Sequence, residues 1–154
     1  MMWLGGFLRS QLGRLLAKEN DIALESKIPL LESRFRDIDE VGLYLHIPFC
    51  HQICPYCPYN KEIYHPEVAE KYTKAVMEEI DIYSEMVGNK PVTSLYIGGG
   101  TPTTMLYSGL DKILEHVFEA FNVQCDIHME SHPNDLILDN LNAIISMGVE
   151  HLSI

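Results

Sequence analysis

The order of the predicted elements constrains the fold more than any other feature of this sequence. The sequence predicts four strands, at residues 41–47, 92–97, 125–129 and 149–154. It predicts a helix between neighbouring strands, at residues 66–87, 108–121 and 136–147, with Ser108 as N-cap of the second helix and Asp135 or Asp139 as N-cap of the third. Strands that alternate with helices of this length form βαβ units. We therefore predict an α/β fold with parallel strands in a sheet or barrel.

A segment of unusual composition follows each of the first three predicted strands. These segments are residues 46–60, residues 98–102 and residues 130–133. In parallel α/β folds the carboxyl ends of the strands lie at one edge of the sheet or barrel, and ligands bind at that edge. We therefore predict that the three segments, although far apart in the sequence, form one site.

Three of the four cysteines, Cys50, Cys54 and Cys57, lie within eight residues of one another. Such crowding is typical of metal or redox chemistry in a reducing compartment and not of a disulfide framework. Three thiolates on one loop can hold one face of a [4Fe–4S] cluster and leave the fourth iron open to another ligand. A zinc site completed by His51 or by a distant residue is the alternative, although His51 would have to fold back onto the metal directly beside Cys50.

The overall charge of the chain is strongly acidic. The sequence contains 22 acidic and 11 basic residues, for a formal net charge of −11. A charge of this sign repels polyphosphate backbones, so we expect no nucleic-acid partner. The hydrophobic share of 47% is ordinary for a globular protein, which excludes an intrinsically disordered chain.

The two ends of the chain carry separate predictions. Residues 1–18 combine apolar residues with three basic residues and no acidic one, which predicts a basic amphipathic helix. This helix packs on the body of the protein or, alternatively, on a membrane surface or a partner. Residues 19–40 are predicted to be a connector, and no apolar run is long enough to span a membrane. A strand that stops at Ile154 is unusual for a domain end, so we expect the N-terminal part of a longer protein.

Four motifs resemble those of one enzyme superfamily. The cysteine loop, which we define as residues 50–57, has the C-x3-C-x-Y-C pattern of the radical S-adenosylmethionine (SAM) superfamily. The strand GLYLHIPFC at residues 42–50 and the segment GGGTP at residues 98–102 resemble the branch of oxygen-independent coproporphyrinogen III oxidases and haem chaperones. The segment ESHP at residues 130–133 resembles that branch's E-x-N-P motif, with His132 in place of the usual Asn.

The resemblance covers residues 41–154 and implies the N-terminal portion of a partial (β/α)6 barrel of the TIM type. It implies a [4Fe–4S] cluster bound by Cys50, Cys54 and Cys57, with SAM on the open iron. In such enzymes an electron delivered through the cluster cleaves SAM to methionine and a 5′-deoxyadenosyl radical, which abstracts hydrogen from a substrate. Residues 1–40 would then form a separate leader of helix and connector.

The resemblance also assigns roles to residues at the strand ends. It implies that SAM is bound by Tyr44, Tyr56, Gly98, Gly99, Gly100, Thr101 and Glu130. Tyr44 and Glu130 are in addition the candidate catalytic residues. Successive glycines let a ligand approach bare backbone groups. The alternatives are a plain tight turn at the glycines, packing of Tyr56 against the cysteine loop and a solvated carboxylate at Glu130.

Tyr44 and His46 lie two positions apart on the first predicted strand, so their side chains face the same side of the sheet. If that side lines the barrel, Tyr44 reaches toward SAM or substrate and His46 toward the cluster. A core residue with satisfied hydrogen bonds is the alternative for His46. Cys125 is expected to be a small buried apolar side chain and not a fourth ligand.

One position departs from the pattern of the coproporphyrinogen dehydrogenases. The resemblance leads us to expect a further cysteine two residues after the third cluster cysteine, where this chain has Tyr59. This departure makes the sequence resemble the broader branch of haem chaperones, haem-degrading enzymes and related methyltransferases more than the decarboxylases themselves. The prediction is a radical SAM oxidoreductase acting on a porphyrin-related substrate, with a haem chaperone that keeps the cluster and SAM site as the alternative. The resemblance also implies a reduced flavodoxin- or ferredoxin-type electron donor and a location in the cytoplasm.

Overall fold

The computed structural model describes residues 33–154 of the chain. The predicted amphipathic helix at residues 1–18 lies outside this range, as does most of the predicted connector. Residues 33–36 are helical, so the end of the connector is more regular than the sequence predicts. No helix in the described part of the chain is long and apolar enough to cross a membrane.

Strands and helices alternate along the described chain, as predicted. The strands are β1 (Val41–Ile47), β2 (Phe49–Cys50), β3 (Glu62–Ile63), β4 (Pro91–Gly99), β5 (Asn122–Val123), β6 (Ile127–Glu130) and β7 (Val149–Ser153). The α-helices are α1 (Pro66–Val87), α2 (Leu110–Ala120) and α3 (Leu138–Ser146), and short 3-10 helices span Pro102–Met105 and Pro133–Asp135. The sequence predicts the bounds of β1 and α1 correctly, whereas it misses β2, β3 and β5.

The main sheet is parallel throughout. Its strand order is β1-β4-β6-β7, and β5 pairs with the first residues of β4. Helices connect the neighbouring strands of this order, because parallel strands need long crossovers. The short strands β2 and β3 form a second parallel sheet, which holds together the two ends of the segment that contains the cysteine loop. The predicted α/β fold with parallel strands is confirmed.

The two faces of the main sheet differ in character. One face packs into the hydrophobic core together with α1 and α2, through residues such as Leu45, Ile47, Leu95, Ile97 and Met129. The opposite face carries one ring on each of four neighbouring strands, at the register partners Tyr44, Tyr96, His128 and His151. This separation follows from the strand period of two, which sends alternate side chains to opposite faces.

Two predicted helix caps are wrong. Helix α2 begins at Leu110, so Ser108 is not its N-cap. Gly109 stands before the helix with a φ of 125°, and a Cβ atom there would lie 2.6 Å from the Thr73 hydroxyl oxygen of α1. Gly109 and not Ser108 is therefore at the N-cap position, where the close approach of Thr73 and the positive φ require glycine. Helix α3 has no side-chain cap, and the Asp135 carboxylate instead accepts a hydrogen bond from Thr103.

Candidate functional site

The carboxyl ends of β1, β4 and β6 meet at one edge of the sheet. The backbone N–H of Gly100 donates a hydrogen bond of 2.7 Å to the carbonyl of Ile47, the last residue of β1. The backbone N–H of Gly99 donates a hydrogen bond of 3.0 Å to the carboxylate of Glu130, the last residue of β6. The glycine run, which we define as Gly98–Gly100, thus connects all three strand ends.

The cysteine loop begins at the end of β2 and leaves the sheet. At its base, the backbone N–H of Tyr64 donates to the Cys50 carbonyl at 3.0 Å. A turn follows, in which the N–H of Cys57 donates to the Cys54 carbonyl at 3.2 Å. The Lys61 ammonium donates a further hydrogen bond to the Cys57 carbonyl. These contacts leave Cys54 exposed, and Cys50 and Cys57 are partly exposed.

All three cysteines of the loop are free thiols, and they line one cavity of about 550 Å³. Gly99, Gly100 and Thr101 line the same cavity. The Thr101 hydroxyl oxygen lies 3.6 Å from the Cys50 sulfur. The structure therefore brings the predicted metal ligands and the predicted SAM-binding backbone to one space.

The spacing of the thiols differs from that of a single-ion site. Among the described residues, only Asp126, Glu150 and His151 place three ligand atoms within 4.8 Å of one another. Two sulfurs bound to one zinc lie about 4 Å apart, since each Zn–S bond is about 2.3 Å long. In a [4Fe–4S] cluster each cysteine binds its own iron, so the thiolates stand farther apart. The cysteine loop is therefore not arranged as a preformed zinc site.

The environment of Cys57 favours its thiolate. A hydrogen bond from the Tyr59 backbone N–H, with a second contribution from the Lys61 ammonium, holds the pKa of the Cys57 thiol below its usual value. The thiolate is the form of cysteine that binds metals. Lys61 is not among the residues predicted from the sequence, although a basic residue four positions after the last cysteine of the cysteine loop is a usable signal.

The glycine run is the end of a strand and not a plain turn, since Gly98 and Gly99 belong to β4. Gly99 has a φ of 122°, and a Cβ atom on it would lie 2.6 Å from the Ile47 carbonyl oxygen. A Cβ atom on Gly100 would lie 2.6 Å from the Phe49 carbonyl oxygen and 2.8 Å from the Cys50 sulfur. Only glycine allows this close approach between β4 and the start of the cysteine loop.

Glu130 is held by two donors and is not a freely solvated carboxylate. The Tyr96 hydroxyl donates to its Oε1 atom at 3.0 Å, and the Gly99 N–H donates to its Oε2 atom at 3.0 Å. Glu130 lines a second cavity, of about 380 Å³, which shares Gly100, Thr101 and His132 with the cavity of the cysteines. Gly100 and Thr101 therefore line both the cavity of the thiols and the cavity of the Glu130 carboxylate.

Tyr44 and His46 face the same side of β1, as predicted, and the Tyr44 hydroxyl lies 3.2 Å from His46 Nδ1. Desolvation raises the pKa of Tyr44, and the Glu130 charge raises it further, so the hydroxyl is a protonated donor at neutral pH. The Nε2 atom of His46 is buried without a hydrogen-bond partner among the described residues. The alternative for His46, a core histidine whose ring nitrogens both have hydrogen-bond partners, is therefore wrong for Nε2.

Tyr56 lines the cavity of the cysteines but is 86% exposed. The ring does not pack into the loop, so simple packing does not explain its position. Tyr59 lines the same cavity and is also exposed. Cys125, by contrast, lies just before β6, where it packs against the hydrophobic core and does not line the cavity of the cysteine loop.

His132 takes over a local role that an asparagine side chain can also perform. Its Nδ1 atom accepts a hydrogen bond of 3.2 Å from the Asn134 N–H and so caps the 3-10 helix that follows. Asparagine caps a helix in the same way, through its side-chain oxygen. The chain therefore has a hydrogen-bonded cap at the end of β6, with His132 at the position of the motif's asparagine.

Tyr96 is a site residue that the sequence analysis missed. It precedes the glycine run on β4 and is the register partner of Tyr44 on β1. A usable signal was present, because the strand period of two places Tyr96 and Gly98 on the same face of β4. The hydrogen bond to Glu130, which is 34 residues away in the sequence, is visible only in the folded chain.

Comparison with known proteins identifies the family. A family model described as the radical SAM superfamily matches residues 44–154. The chain therefore belongs to the radical SAM superfamily, which confirms the resemblance seen in the cysteine loop and the glycine segment. The match includes both strands and loops of the candidate site.

Three similar proteins show which branch of the superfamily this chain resembles. It is 35% identical over 117 residues to the oxygen-independent coproporphyrinogen III oxidase of Escherichia coli (strain K12), covering 73% of this chain and 25% of that protein. It is 31% identical over 113 residues to the heme chaperone HemW of Bacillus subtilis (strain 168), covering 71% of this chain and 30% of that protein. The solved structure of the coproporphyrinogen III oxidase HemN from Escherichia coli, titled a radical SAM enzyme, matches with a TM-score of 0.76 and 27% identity, over 82% of this chain and 30% of that one. The chain thus spans less than a third of the length of these relatives.

Proposed function

We propose that this chain forms the cluster-binding and SAM-binding part of a radical SAM enzyme acting on a porphyrin-related substrate. The observation that carries the proposal is the shared cavity, which three free thiols and the residues Gly99 and Gly100 line together. Bare backbone at Gly100 stands directly beside the Cys50 sulfur, where a Cβ atom would lie 2.8 Å from it. Membership of the radical SAM superfamily supports the same function.

The residues of the cavity fit a [4Fe–4S] cluster with one open iron. Thiolates are the usual ligands of such clusters, and Cys50, Cys54 and Cys57 supply three of the customary four. The open iron would be available to the amino and carboxylate groups of SAM. When bound, the cluster and SAM supply one-electron reductive cleavage of SAM and hydrogen abstraction from the substrate.

The protein groups around the cavity would bind and orient SAM. The glycine run offers backbone groups without side chains in front of them. Glu130 would accept hydrogen bonds from the ribose hydroxyls or the ammonium group of SAM, and Tyr44 would donate one from its protonated hydroxyl. Thr101 lines both cavities and would contact the same ligand, and Tyr56 would lie beside its adenine ring.

The relatives support the choice of substrate and partner. A tetrapyrrole substrate is proposed because a protein named oxygen-independent coproporphyrinogen III oxidase is 35% identical to this chain. The electron would come from a reduced flavodoxin- or ferredoxin-type protein in the cytoplasm, since reductive cleavage requires a low-potential donor. We further propose that residues 41–154 are the N-terminal part of the core domain and that residues 1–40 form a separate leader.

A haem chaperone is the second candidate function. Two observations favour it. Tyr59 stands where the resemblance to the coproporphyrinogen dehydrogenases leads us to expect a further cysteine, and its exposed side chain lines the cavity. The heme chaperone HemW of Bacillus subtilis is 31% identical to this chain. In this function the chain would keep the cluster and SAM site and deliver haem without transforming it.

Anaerobic reconstitution tests the proposed function. The purified full-length protein is loaded with iron and sulfide under anaerobic conditions, reduced with dithionite and incubated with SAM. The expected result is 5′-deoxyadenosine together with methionine. An intact cluster that yields no 5′-deoxyadenosine would contradict the proposal.

Two further measurements distinguish the competing functions. Stable haem binding, with transfer to an apo-acceptor and no turnover of a porphyrinogen, would favour the chaperone. Metal analysis after anaerobic purification tests the zinc alternative, because zinc without iron or sulfide would exclude the cluster.

A further inference from the structure

A row of four rings crosses the sheet on the face that carries the candidate site. The rings belong to register partners on β1, β4, β6 and β7, namely Tyr44, Tyr96, His128 and His151. The ring centroids of Tyr44 and Tyr96 are 6.1 Å apart, those of Tyr96 and His128 are 6.4 Å apart, and both pairs are stacked. Tyr96 is therefore held between an aromatic neighbour on each side.

The backbone of Tyr96 is equally well fixed. Its two neighbours on β4, Leu95 and Ile97, point into the hydrophobic core and are almost completely buried. The strand pairs with β1 on one side and with β6 on the other. The backbone that carries the Tyr96 side chain is thus held by strand pairing on both sides and by buried neighbours.

That hydroxyl is one of two donors that orient Glu130. It donates to Oε1 at 3.0 Å, while the Gly99 N–H donates to Oε2 at 3.0 Å. One donor on each oxygen defines the plane of the carboxylate. A carboxylate can accept about four hydrogen bonds, so sites remain open for donors from a ligand.

We propose that Tyr96 is a positioning residue for SAM, which acts by holding the Glu130 carboxylate toward the ligand's hydrogen-bond donors. The inference rests on the proposed function, in which Glu130 contacts SAM. The Glu130 carboxylate, oriented in this way, accepts hydrogen bonds from an ammonium or a hydroxyl group of the ligand and repels the ligand's carboxylate. Tyr96 would therefore help to select which end of the ligand faces β6.

The test measures SAM affinity in the cluster-loaded chain by anaerobic equilibrium dialysis. Tyr96→Phe removes the hydroxyl and keeps the stacked ring, and it is expected to weaken SAM binding about tenfold, because the Glu130 carboxylate is then no longer held toward the ligand's hydrogen-bond donors and binding has to order it. Iron content is expected to stay unchanged, and the thermal unfolding midpoint is expected to fall by no more than a few degrees, since one part-buried hydrogen bond is lost. Tyr107→Phe is the matched control, because the Tyr107 hydroxyl donates to Asn140 Oδ1 at 2.9 Å outside both cavities, and it should leave SAM affinity unchanged.

A double-mutant cycle separates a positioning role from a general structural one. If Tyr96 acts through Glu130, Tyr96→Phe has no further effect on SAM affinity in a Glu130→Ala background, which removes the acceptor of the Tyr96 hydroxyl. An equal loss in both backgrounds would overturn the inference, as would unchanged affinity in Tyr96→Phe alone. If the unsubstituted, cluster-loaded chain binds no SAM, the proposed function fails and this inference fails with it.

Discussion

The glycine run and the cysteine loop line the same cavity, but the protein holds them in different ways. The glycine run ends a central strand, and its backbone donates hydrogen bonds to Ile47 on one side and Glu130 on the other. The cysteine loop lies outside the main sheet and is closed by a turn between Cys54 and Cys57. Within it, Cys54 is exposed and Tyr56 is 86% exposed.

The difference indicates that the glycine run and the cysteine loop become ordered in different ways. The packed core builds the glycine run and its close contacts as part of the fold, and such preorganisation lowers the cost of binding a ligand. The cysteine loop has little packing, and metal binding can itself order a segment of this kind. Substitutions in the glycine run should therefore affect folding, whereas substitutions in the cysteine loop should affect metal binding and leave the fold unchanged.

The largest expected effect is on metal binding. Cys54→Ala should abolish retention of the cluster, because two thiolates do not hold it firmly. The measurements are iron and sulfide per chain after anaerobic reconstitution. The stability of the metal-free chain should change by no more than about 0.5 kcal/mol, as at other exposed positions.

Cys125→Ala is the control for this experiment, because Cys125 packs against the hydrophobic core away from the cysteine loop. It should retain full iron and sulfide. Full retention of the cluster by Cys54→Ala would show that Cys54 is not a ligand. A large loss of stability in metal-free Cys54→Ala would show that the cysteine loop, like the glycine run, contributes to folding.

The second prediction concerns the glycine run. Gly100→Ala should lower the free energy of unfolding by about 1–3 kcal/mol, the usual cost of forcing atoms into a packed site. The new Cβ atom would lie 2.6 Å from the Phe49 carbonyl oxygen, and backbone cannot move away easily. Urea unfolding of the metal-free chain measures the change.

Gly42→Ala is the matched control, because Gly42 also lies in the parallel sheet but a Cβ atom there would make only ordinary van der Waals contacts. The nearest atom to a Cβ there is the Ser94 Cβ, at 3.6 Å. This variant should differ from the unsubstituted chain by no more than about 0.5 kcal/mol. Equal stability of the Gly100 and Gly42 variants would mean that the glycine run is not held by the close contacts described here.

The third prediction uses Tyr72 on α1, whose hydroxyl donates to the His46 carbonyl and so secures the end of β1. Desolvation, with smaller contributions from Glu79 and Tyr44, raises the pKa of Tyr72 to about 12. The folded state therefore keeps this proton at pH values where the unfolded state, with an ordinary pKa of about 10, has lost it. The contribution of Tyr72 to stability is present below pH 10 and is lost as the pH rises toward 12.

Tyr72→Phe tests this prediction. At neutral pH the variant should be less stable by about 1 kcal/mol, the usual contribution of one hydrogen bond. The difference in free energy of unfolding between the two proteins should shrink as the pH rises from 9 to 11 in urea titrations. A difference in free energy of unfolding that stays constant over this pH range would show that Tyr72 has the same pKa in the folded and unfolded states.

The smallest expected effect on stability is at Tyr56. Tyr56→Ala should leave the free energy of unfolding within about 0.5 kcal/mol, because the ring is exposed. SAM affinity of the cluster-loaded chain should nevertheless fall at least about fivefold, the low end of the effect of losing a stacked aromatic partner of a base. Unchanged affinity would show that Tyr56 does not lie beside the adenine ring.

Local signals explain which elements the sequence predicts well. The bounds of β1 and α1 are correct because residue alternation, a proline at the helix start and a glycine after its end are all features of neighbouring residues. The start of α2 is wrong because it depends on the approach of Gly109 to Thr73, a contact between two helices. No local pattern contains that contact.

The same distinction applies to the candidate site. The cysteine loop, the glycine run and Glu130 were predicted because their residue types and spacing indicate a chemistry, and because parallel strands present their carboxyl ends at one edge. Tyr96 and Lys61 were missed. Tyr96 matters through Glu130, which is 34 residues away, and Lys61 through a hydrogen bond to the loop that precedes it.

By itself, the sequence determined the order of strands and helices, the family and the thiol chemistry, since all of these depend on residue type and on spacing along the chain. Only the tertiary structure decided that Gly100 stands against the Cys50 sulfur and that Tyr96 and Gly99 together orient Glu130. The physical reason is that strand register and close packing join residues that are 30 to 50 positions apart. Contacts between residues so far apart in the sequence depend on the packing of the whole core and not on any single segment.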